Sequence, residues 1–260
     1  MVKLKNSNVL LKQFVLILTF LFLISCAEKK QVVSKIVAEK ISITNTASED
    51  SEIENFIKPY RENIDKDLSQ VLAIAPKTID KNGEWQTPMG NFLSDITLQK
   101  TIPVFKSREN KQIDVCLLNH GGIRSTISAG NVTARTAYEI MPFENSAYVV
   151  SLKGEQILEM IYYIISEKKP HPLSGMTFTI DKNNLPKDIF INGKPFEKDK
   201  TYYVVTSDYL INGGDNMLFF KKAIEKYDLD YKLRNIIIDY FKENNEIVSN
   251  SSIRIRKKDN

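Results

Sequence analysis

The sequence predicts an α+β domain of one piece behind an amino-terminal export segment. Apolar residues recur at helical spacing in several stretches and gather into short β-rich runs in others. These stretches do not alternate as regular βαβ units, which argues against a doubly wound parallel sheet. At 260 residues, 42% of them hydrophobic, the chain is long enough to enclose one core or two small ones.

Ile53, Phe56, Ile57, Tyr60, Ile64, Leu68 and Val71 follow a helical period, predicting an amphipathic helix that ends before Pro76. Gly90 to Ile96 begins a second helix just after Pro88, a residue suited to a first turn. Ile113 to Asn119 is a short apolar run that reads as a strand emptying into a tight Asn-His-Gly-Gly loop. Thr133 to Ile140 reads as a helix stopped by Met141-Pro142. Ala147 to Leu152 is a strand, and Gly154 to Ser166 a helix with Ile157, Leu158, Ile161, Tyr162 and Ile165 on one face. Met176 to Ile180, Ile189 to Ile191 and Tyr202 to Thr206 are β-rich runs parted by the turns Asp181 to Asn184 and Asn192 to Pro195. Met217 to Tyr227 and Tyr231 to Asn244 read as helices, and Ser252 to Arg256 as a closing edge strand.

Ahead of these lies a segment of another kind. Met1 to Lys12 carries three lysines and no acid, and Phe14 to Ile24 is almost wholly apolar. A spanning helix needs roughly 20 apolar residues, about twice this run. Basic start, short apolar stretch and small residue together read as a signal peptide over residues 1–25. Leu23-Ile24-Ser25-Cys26 resembles a bacterial lipobox, in which cleavage precedes a cysteine whose thiol takes a lipid. The other reading is a short uncleaved anchor with an incidental cysteine. Residues 26–51, rich in Lys, Glu, Ser and Thr without a sustained period, form a flexible tether, and residues 52–260 the folded domain. The expectation is an exported lipoprotein held to a membrane through Cys26.

A formal net charge of +4, with lysines scattered among acids, argues against a nucleic-acid partner. Basic residues cluster only at the ends, and Arg254 to Lys258 reads as a solvated terminus. The chain has two cysteines, so it is not a disulfide-stapled miniature fold, and Cys116 in its apolar run reads as a buried, inert thiol.

Three loops carry unusual residues. In Asn119-His120-Gly121-Gly122-Ile123-Arg124 the glycines let backbone approach a ligand, flanked by an amide and a guanidinium. Met141-Pro142-Phe143-Glu144-Asn145 is a proline-stiffened corner bearing an aromatic. Ser207 to Asn216 joins Tyr209 to Gly213, Gly214 and Asp215. Taken singly, each has an ordinary explanation as a turn, a core-rim aromatic or a helix cap. Together they supply what a nucleoside needs: two aromatics to enclose a base, a carboxylate for ribose hydroxyls, and an arginine for ribose or phosphate oxygens.

The order Gly-Asn-x-Leu-x-Asp (Gly90 to Asp95), Asn-x-Gly-Gly-Ile-Arg, Pro-Phe and aromatic-x-x-Asn-Gly-Gly-Asp resembles the C-terminal domain of the 5'-nucleotidase family. Val149 to Gln156, Ser174-Gly175-Met176 and Lys200 to Val205 add to the likeness, which runs from about Trp85 to Phe220. The resemblance implies a mixed sheet flanked by helices and a site that binds base and ribose. It implies that Phe143 and Tyr209 stack on the base, Asn119 meets the base edge, Arg124 the ribose and phosphate, and Asp215 the ribose hydroxyls, with Gly121, Gly122, Gly213 and Gly214 shaping the loops. The chain departs from the pattern in three places. His120 stands where a third glycine is common, Tyr209 where phenylalanine is usual, and the further arginine that some members place ahead of Gly-Asn is not evident, Lys81 being at best a substitute for it.

Members of that family hydrolyse phosphate esters at a two-metal site in a separate N-terminal domain. Such a site needs several histidines, and this chain has only His120 and His171, the latter read as a solvent-facing loop residue. No catalytic or metal-binding residue is expected here. The two divalent metals would belong to a separately encoded, secreted metallophosphatase subunit docking on this one. The alternative is a stand-alone nucleotide- or nucleoside-binding lipoprotein for scavenging. A structural lipoprotein with a decayed pocket ranks behind both.

Overall fold

The structure, a computed structural model, describes residues 5–23, 32–42, 44 and 48–258. It resolves into two units, Met1–Ser51 and Glu52–Asn260. Within the first, α1 (Lys5–Leu23) leaves Leu10, Leu11, Phe14, Leu16 and Phe20 exposed. Among the described residues no helix is long and apolar enough to cross a membrane. Cys26 lies outside the described residues.

Helix α2 (Ser51–Leu68), all but its first residue in the second unit, is followed by β1 (Val71–Ala75), whose first residue the helical period wrongly includes. Residues 71–75 alternate instead, with Ala73 and Ala75 buried, because β3 (Gly130–Thr133) offers an antiparallel partner. Helix α2 buries none of its residues; an ion pair from Asp65 to Arg135 of α4 (Ala134–Ile140) ties its end to the domain.

The centre is a five-stranded mixed sheet in the order β10-β4-β9-β2-β5. It comprises β2 (Val115–Leu117), β4 (Ser146–Lys153), β5 (Leu173–Ser174), β9 (Thr201–Ser207) and β10 (Glu225–Lys232). Within this sheet β2 and β9 pair in parallel, Val115 opposite Val204 and Cys116 opposite Val205, and the other neighbours are antiparallel. Both faces are buried along β2, β4 and β9. Cys116, Val149 and Val205 face α3 (Pro88–Glu109) and α7 (Leu233–Glu243); Val115, Val150 and Val204 face α5 (Gly154–Glu167). Each such fully buried aliphatic side chain contributes about 1.5–3 kcal/mol. A second sheet, β11-β6-β7-β8, of β6 (Met176–Ile180), β7 (Pro186–Ile191), β8 (Lys194–Pro195) and β11 (Ile255–Lys257), shares an apolar cluster with α5. The closing strand is an edge, as the sequence predicts, and pairs parallel to β6.

Three expectations need correction. Met217 to Tyr227 is not a helix: a short 3-10 stretch, Leu218–Lys222, gives way to β10, whose Leu229 is buried while the charged residues around it face water. The buried face of α5 carries Met160 and Ile164 rather than Leu158 and Tyr162, a shift of part of a turn that leaves Tyr162 exposed. Arg254 is no solvated terminus. It is buried, donating from Nη1 to Ser94 Oγ at 2.8 Å and from Nη2 to Asp95 Oδ2 at 2.6 Å. Asp95 also accepts from Ser174 Oγ at 2.6 Å, and Asn91 Nδ2 donates to the Asn250 carbonyl at 3.0 Å. The Gly-Asn-x-Leu-x-Asp motif therefore anchors the C-terminal segment to α3.

Candidate functional site

Parallel pairing of β2 with β9 sets their ends side by side, so the loops that leave them meet. After β2 the chain passes Asn119 into a single 3-10 turn, His120–Gly122, closed by Gly122 N–H to the Asn119 carbonyl at 3.1 Å. A methyl group on Gly122 would lie 2.8 Å from Asn119 Oδ1, so glycine is what lets the amide fold back over its own loop. Arg124 N–H then donates to the Ile140 carbonyl at 2.9 Å, fastening this loop to the end of α4.

After β9, Ser207 caps the short helix α6 (Asp208–Ile211) by accepting from Leu210 N–H at 3.3 Å. Gly213 (φ +88) and Asp215 (φ +50) turn the chain through left-handed backbone. A Cβ on Gly214 would sit 2.4 Å from the Tyr209 ring, so that ring lies directly against loop backbone. The Asp215 carboxylate accepts from Tyr209 Oη at 2.9 Å and from Asn119 Nδ2 at 2.8 Å, joining the two loops.

The third loop is held from behind. Arg234, buried in the first turn of α7, donates from Nη1 to the Pro142 carbonyl at 3.2 Å, pairs with Glu144 and lies 4.1 Å from the Tyr138 ring centroid. Lys232 Nζ donates to the Glu144 carbonyl and to Ser146 Oγ, each at 2.9 Å. Phe143 is left 42% exposed and turned to a cavity of about 370 Å³. Asn119, Gly121, Gly122, Arg124, Phe143, Tyr209 and Asp215 line it, together with Asn145. Gly213 and Gly214 stand outside the lining and shape the loop behind it.

The profile of the 5'-nucleotidase C-terminal domain matches residues 64–222, more than half of the chain. The chain belongs to that family. It is 24% identical over 188 residues to an apyrase from Tabanus yao, covering 65% of this chain and 34% of the relative. It is 24% identical over 191 residues to a 5'-nucleotidase from Vibrio vulnificus, covering 72% and 33%. The chain thus spans about a third of the length of these curated relatives. The fold also matches a 5'-nucleotidase precursor from Thermus thermophilus with a TM-score of 0.68 at 24% identity, over 82% of this chain and 44% of that one.

Two residues of this 5'-nucleotidase C-terminal domain, neither assigned to the site from sequence, brace its loops. His171, expected in solvent, is buried, and its Nδ1 accepts the His120 backbone N–H at 3.2 Å. Burial, then the neighbouring His120, push its imidazole down to about 4, so it is neutral at pH 7. Tyr163, on α5, donates to the Asp215 carbonyl at 2.6 Å and packs against His171 with ring centroids 5.6 Å apart. Burial, then the charges of Glu167 and Asp215, push its phenol up to about 12. Lys81 lies outside the cavity lining, its Nζ donating to the Ile123 carbonyl at 2.6 Å. Cys116 is buried as expected, and burial raises its thiol well above the ordinary range. Among the described residues there is no group of three or more His, Cys, Asp or Glu placed to hold a metal.

Proposed function

We propose that this domain is the recognition half of a 5'-nucleotidase-type phosphoesterase and that its cavity binds a nucleoside or nucleotide. The observation that carries the reading is the convergence of residues from three separate loops on one cavity. Its volume suits a small ligand, and its lining pairs two half-exposed aromatics with an amide, a guanidinium and a carboxylate. In this reading Phe143 and Tyr209 enclose the base, Asn119 meets its edge, Asp215 accepts from the ribose hydroxyls and Arg124 reaches ribose or phosphate oxygens. In this reading the hydrolytic step belongs to another subunit, in keeping with a set of described residues that brings no three His, Cys, Asp or Glu together to hold a metal. The metals would come with a secreted metallophosphatase subunit that docks here. The basic, apolar amino terminus and Cys26 make the chain an exported lipoprotein, its lipid holding it at a membrane.

Calorimetry on the full chain in detergent, with AMP, adenosine and a UDP-sugar, tests the reading beside Phe143→Ala and Asp215→Ala. Phosphate release is assayed in the same samples with divalent metal added. The expected result is binding that either substitution weakens about tenfold or more, without hydrolysis, a loss in line with about 1–3 kcal/mol per stacked base. Binding indifferent to both substitutions would place the ligand elsewhere. Hydrolysis abolished by chelator would place the metals on this chain. Binding that persists unchanged in the presence of every co-secreted phosphatase tried would favour the scavenging alternative.

A further inference from the structure

We propose that the Tyr209 hydroxyl sets the sugar specificity of the cavity by orienting the Asp215 carboxylate for a vicinal diol. The inference rests on the nucleoside reading of the site and adds to it a role for the one atom that distinguishes tyrosine from phenylalanine there.

Tyr209 Oη donates to Asp215 Oδ1 at 2.9 Å and accepts the Asp215 backbone N–H at 3.2 Å, so one hydroxyl fixes the side chain and the main chain of the same residue. The second carboxylate oxygen, Oδ2, takes Asn119 Nδ2 at 2.8 Å. A carboxylate offers about four lone-pair positions, two on each oxygen. With one donor already on each, about one position per oxygen remains. Two adjacent acceptors of this kind match two adjacent hydroxyls better than one. A ribose presents such a pair, and a 2'-deoxyribose or 3'-deoxyribose does not.

The arrangement is stiff. Asp215 sits in left-handed backbone (φ +50), and its carbonyl is held by Tyr163 Oη at 2.6 Å. The Tyr209 ring cannot sink toward the loop, because the bare Cα of Gly214 is already against it. One side chain therefore places both the aromatic face and the carboxylate that lie at the two ends of a nucleoside. Phenylalanine would keep the face and release the carboxylate.

The test is calorimetry on the full chain and on Tyr209→Phe with adenosine and 2',3'-dideoxyadenosine, with Phe143→Ala as a reference for stacking. The substitution should weaken adenosine about tenfold and dideoxyadenosine less than twofold, as expected for a lost hydrogen bond to a charged group. The double variant Tyr209→Phe, Asp215→Asn should bind adenosine no more weakly than Asp215→Asn alone. Equal losses for the two ligands would make Tyr209 a merely structural residue and overturn the inference while leaving the site in place. Tighter adenosine binding by Tyr209→Phe would mean that the hydroxyl competes with the sugar, and would overturn it as well. Absence of adenosine binding by the full chain, or binding that Phe143→Ala leaves untouched, would remove the nucleoside reading and this inference together.

Discussion

The loops after β2 and β9 spell nearly the same words, Asn119-His120-Gly121-Gly122 and Asn212-Gly213-Gly214-Asp215, yet their glycines meet different demands. In the first loop neither glycine has left-handed backbone, and the tight contact is between Gly122 and the Asn119 side chain of the same turn. In the second, Gly213 takes φ +88, Asp215 follows at φ +50, and Gly214 carries a ring. The first is a problem of room at a side-chain tip; the second is one of backbone conformation and of an immovable neighbour. Their braces differ too, a titratable imidazole behind the first and a phenol behind the second. A pair of glycines in a sequence therefore says that backbone comes close to something, and only the fold says to what.

Acid separates the braces most widely. His171 has an ordinary value of about 6.5 in the unfolded chain and about 4 in the fold. Between those values the unfolded chain binds the extra proton, so stability is full above about pH 6.5 and falls as pH drops toward about 4. The loss is on the order of 3 kcal/mol. Tyr163, with its phenol pushed up to about 12, does not titrate in this window. Urea denaturation of the full chain from pH 7 to pH 4, beside His171→Gln, should show a slope in the parent that the variant largely lacks. A glutamine oxygen can still accept the His120 N–H without taking a proton. Some slope should remain in the variant, since burial also pushes His120 down. Identical slopes would show that His171 is not the group being protonated.

Gly214→Ala comes next, and it should strike the second loop harder than any alanine strikes the first. The new methyl would lie 2.4–2.6 Å from three Tyr209 ring atoms, and the ring is tied to Asp215 through its hydroxyl. Ring and carboxylate must move together. Overpacking of this kind costs about 1–3 kcal/mol. Thermal melting should fall, and adenosine affinity should fall with it because both displaced groups line the cavity. A variant with unaltered melting and binding would mean that the ring has another seat.

Much of this site is legible in the sequence because its parts are local words in order. Asn119 to Arg124, Pro142-Phe143 and Tyr209 to Asp215 each state a loop, and a parallel strand pair brings two of them together. What escapes is what braces them. His171, Tyr163 and Arg234 are single residues of common type in unremarkable surroundings, linked to the loops only through the fold. His171 between two prolines reads as exposed, yet the chain folds it inward beneath the first loop. The elements show the same division. Helices with a long apolar period are plain in the sequence, while the starts of β1 and β10 read as helix. A five-residue run behind a helix carries too few turns to reveal its period, and β10 interleaves its apolar residues with charge as an edge strand does. Arg254 looks like part of a basic tail because its partners, Ser94 and Asp95, lie 160 and 159 positions away.

The smallest effects sharpen the comparison inside the first loop itself. Gly122→Ala would set a methyl 2.8 Å from Asn119 Oδ1, the tip of a side chain that can swing aside. Swinging breaks the Asn119 to Asp215 hydrogen bond, a loss of about 1 kcal/mol. Gly121→Ala meets Asn119 Nδ2 and Asp215 Oδ2 at 3.7 Å, ordinary contact, on backbone that an alanine can adopt. Its stability should stay within about 0.5 kcal/mol of the parent. The same methyl lies against two of the polar groups that line the cavity, so adenosine affinity should fall while melting does not. That split would mark Gly121 as a glycine kept for the ligand and Gly122 as one kept for the loop. Equal melting losses in the two variants would mean instead that both glycines serve the turn alone.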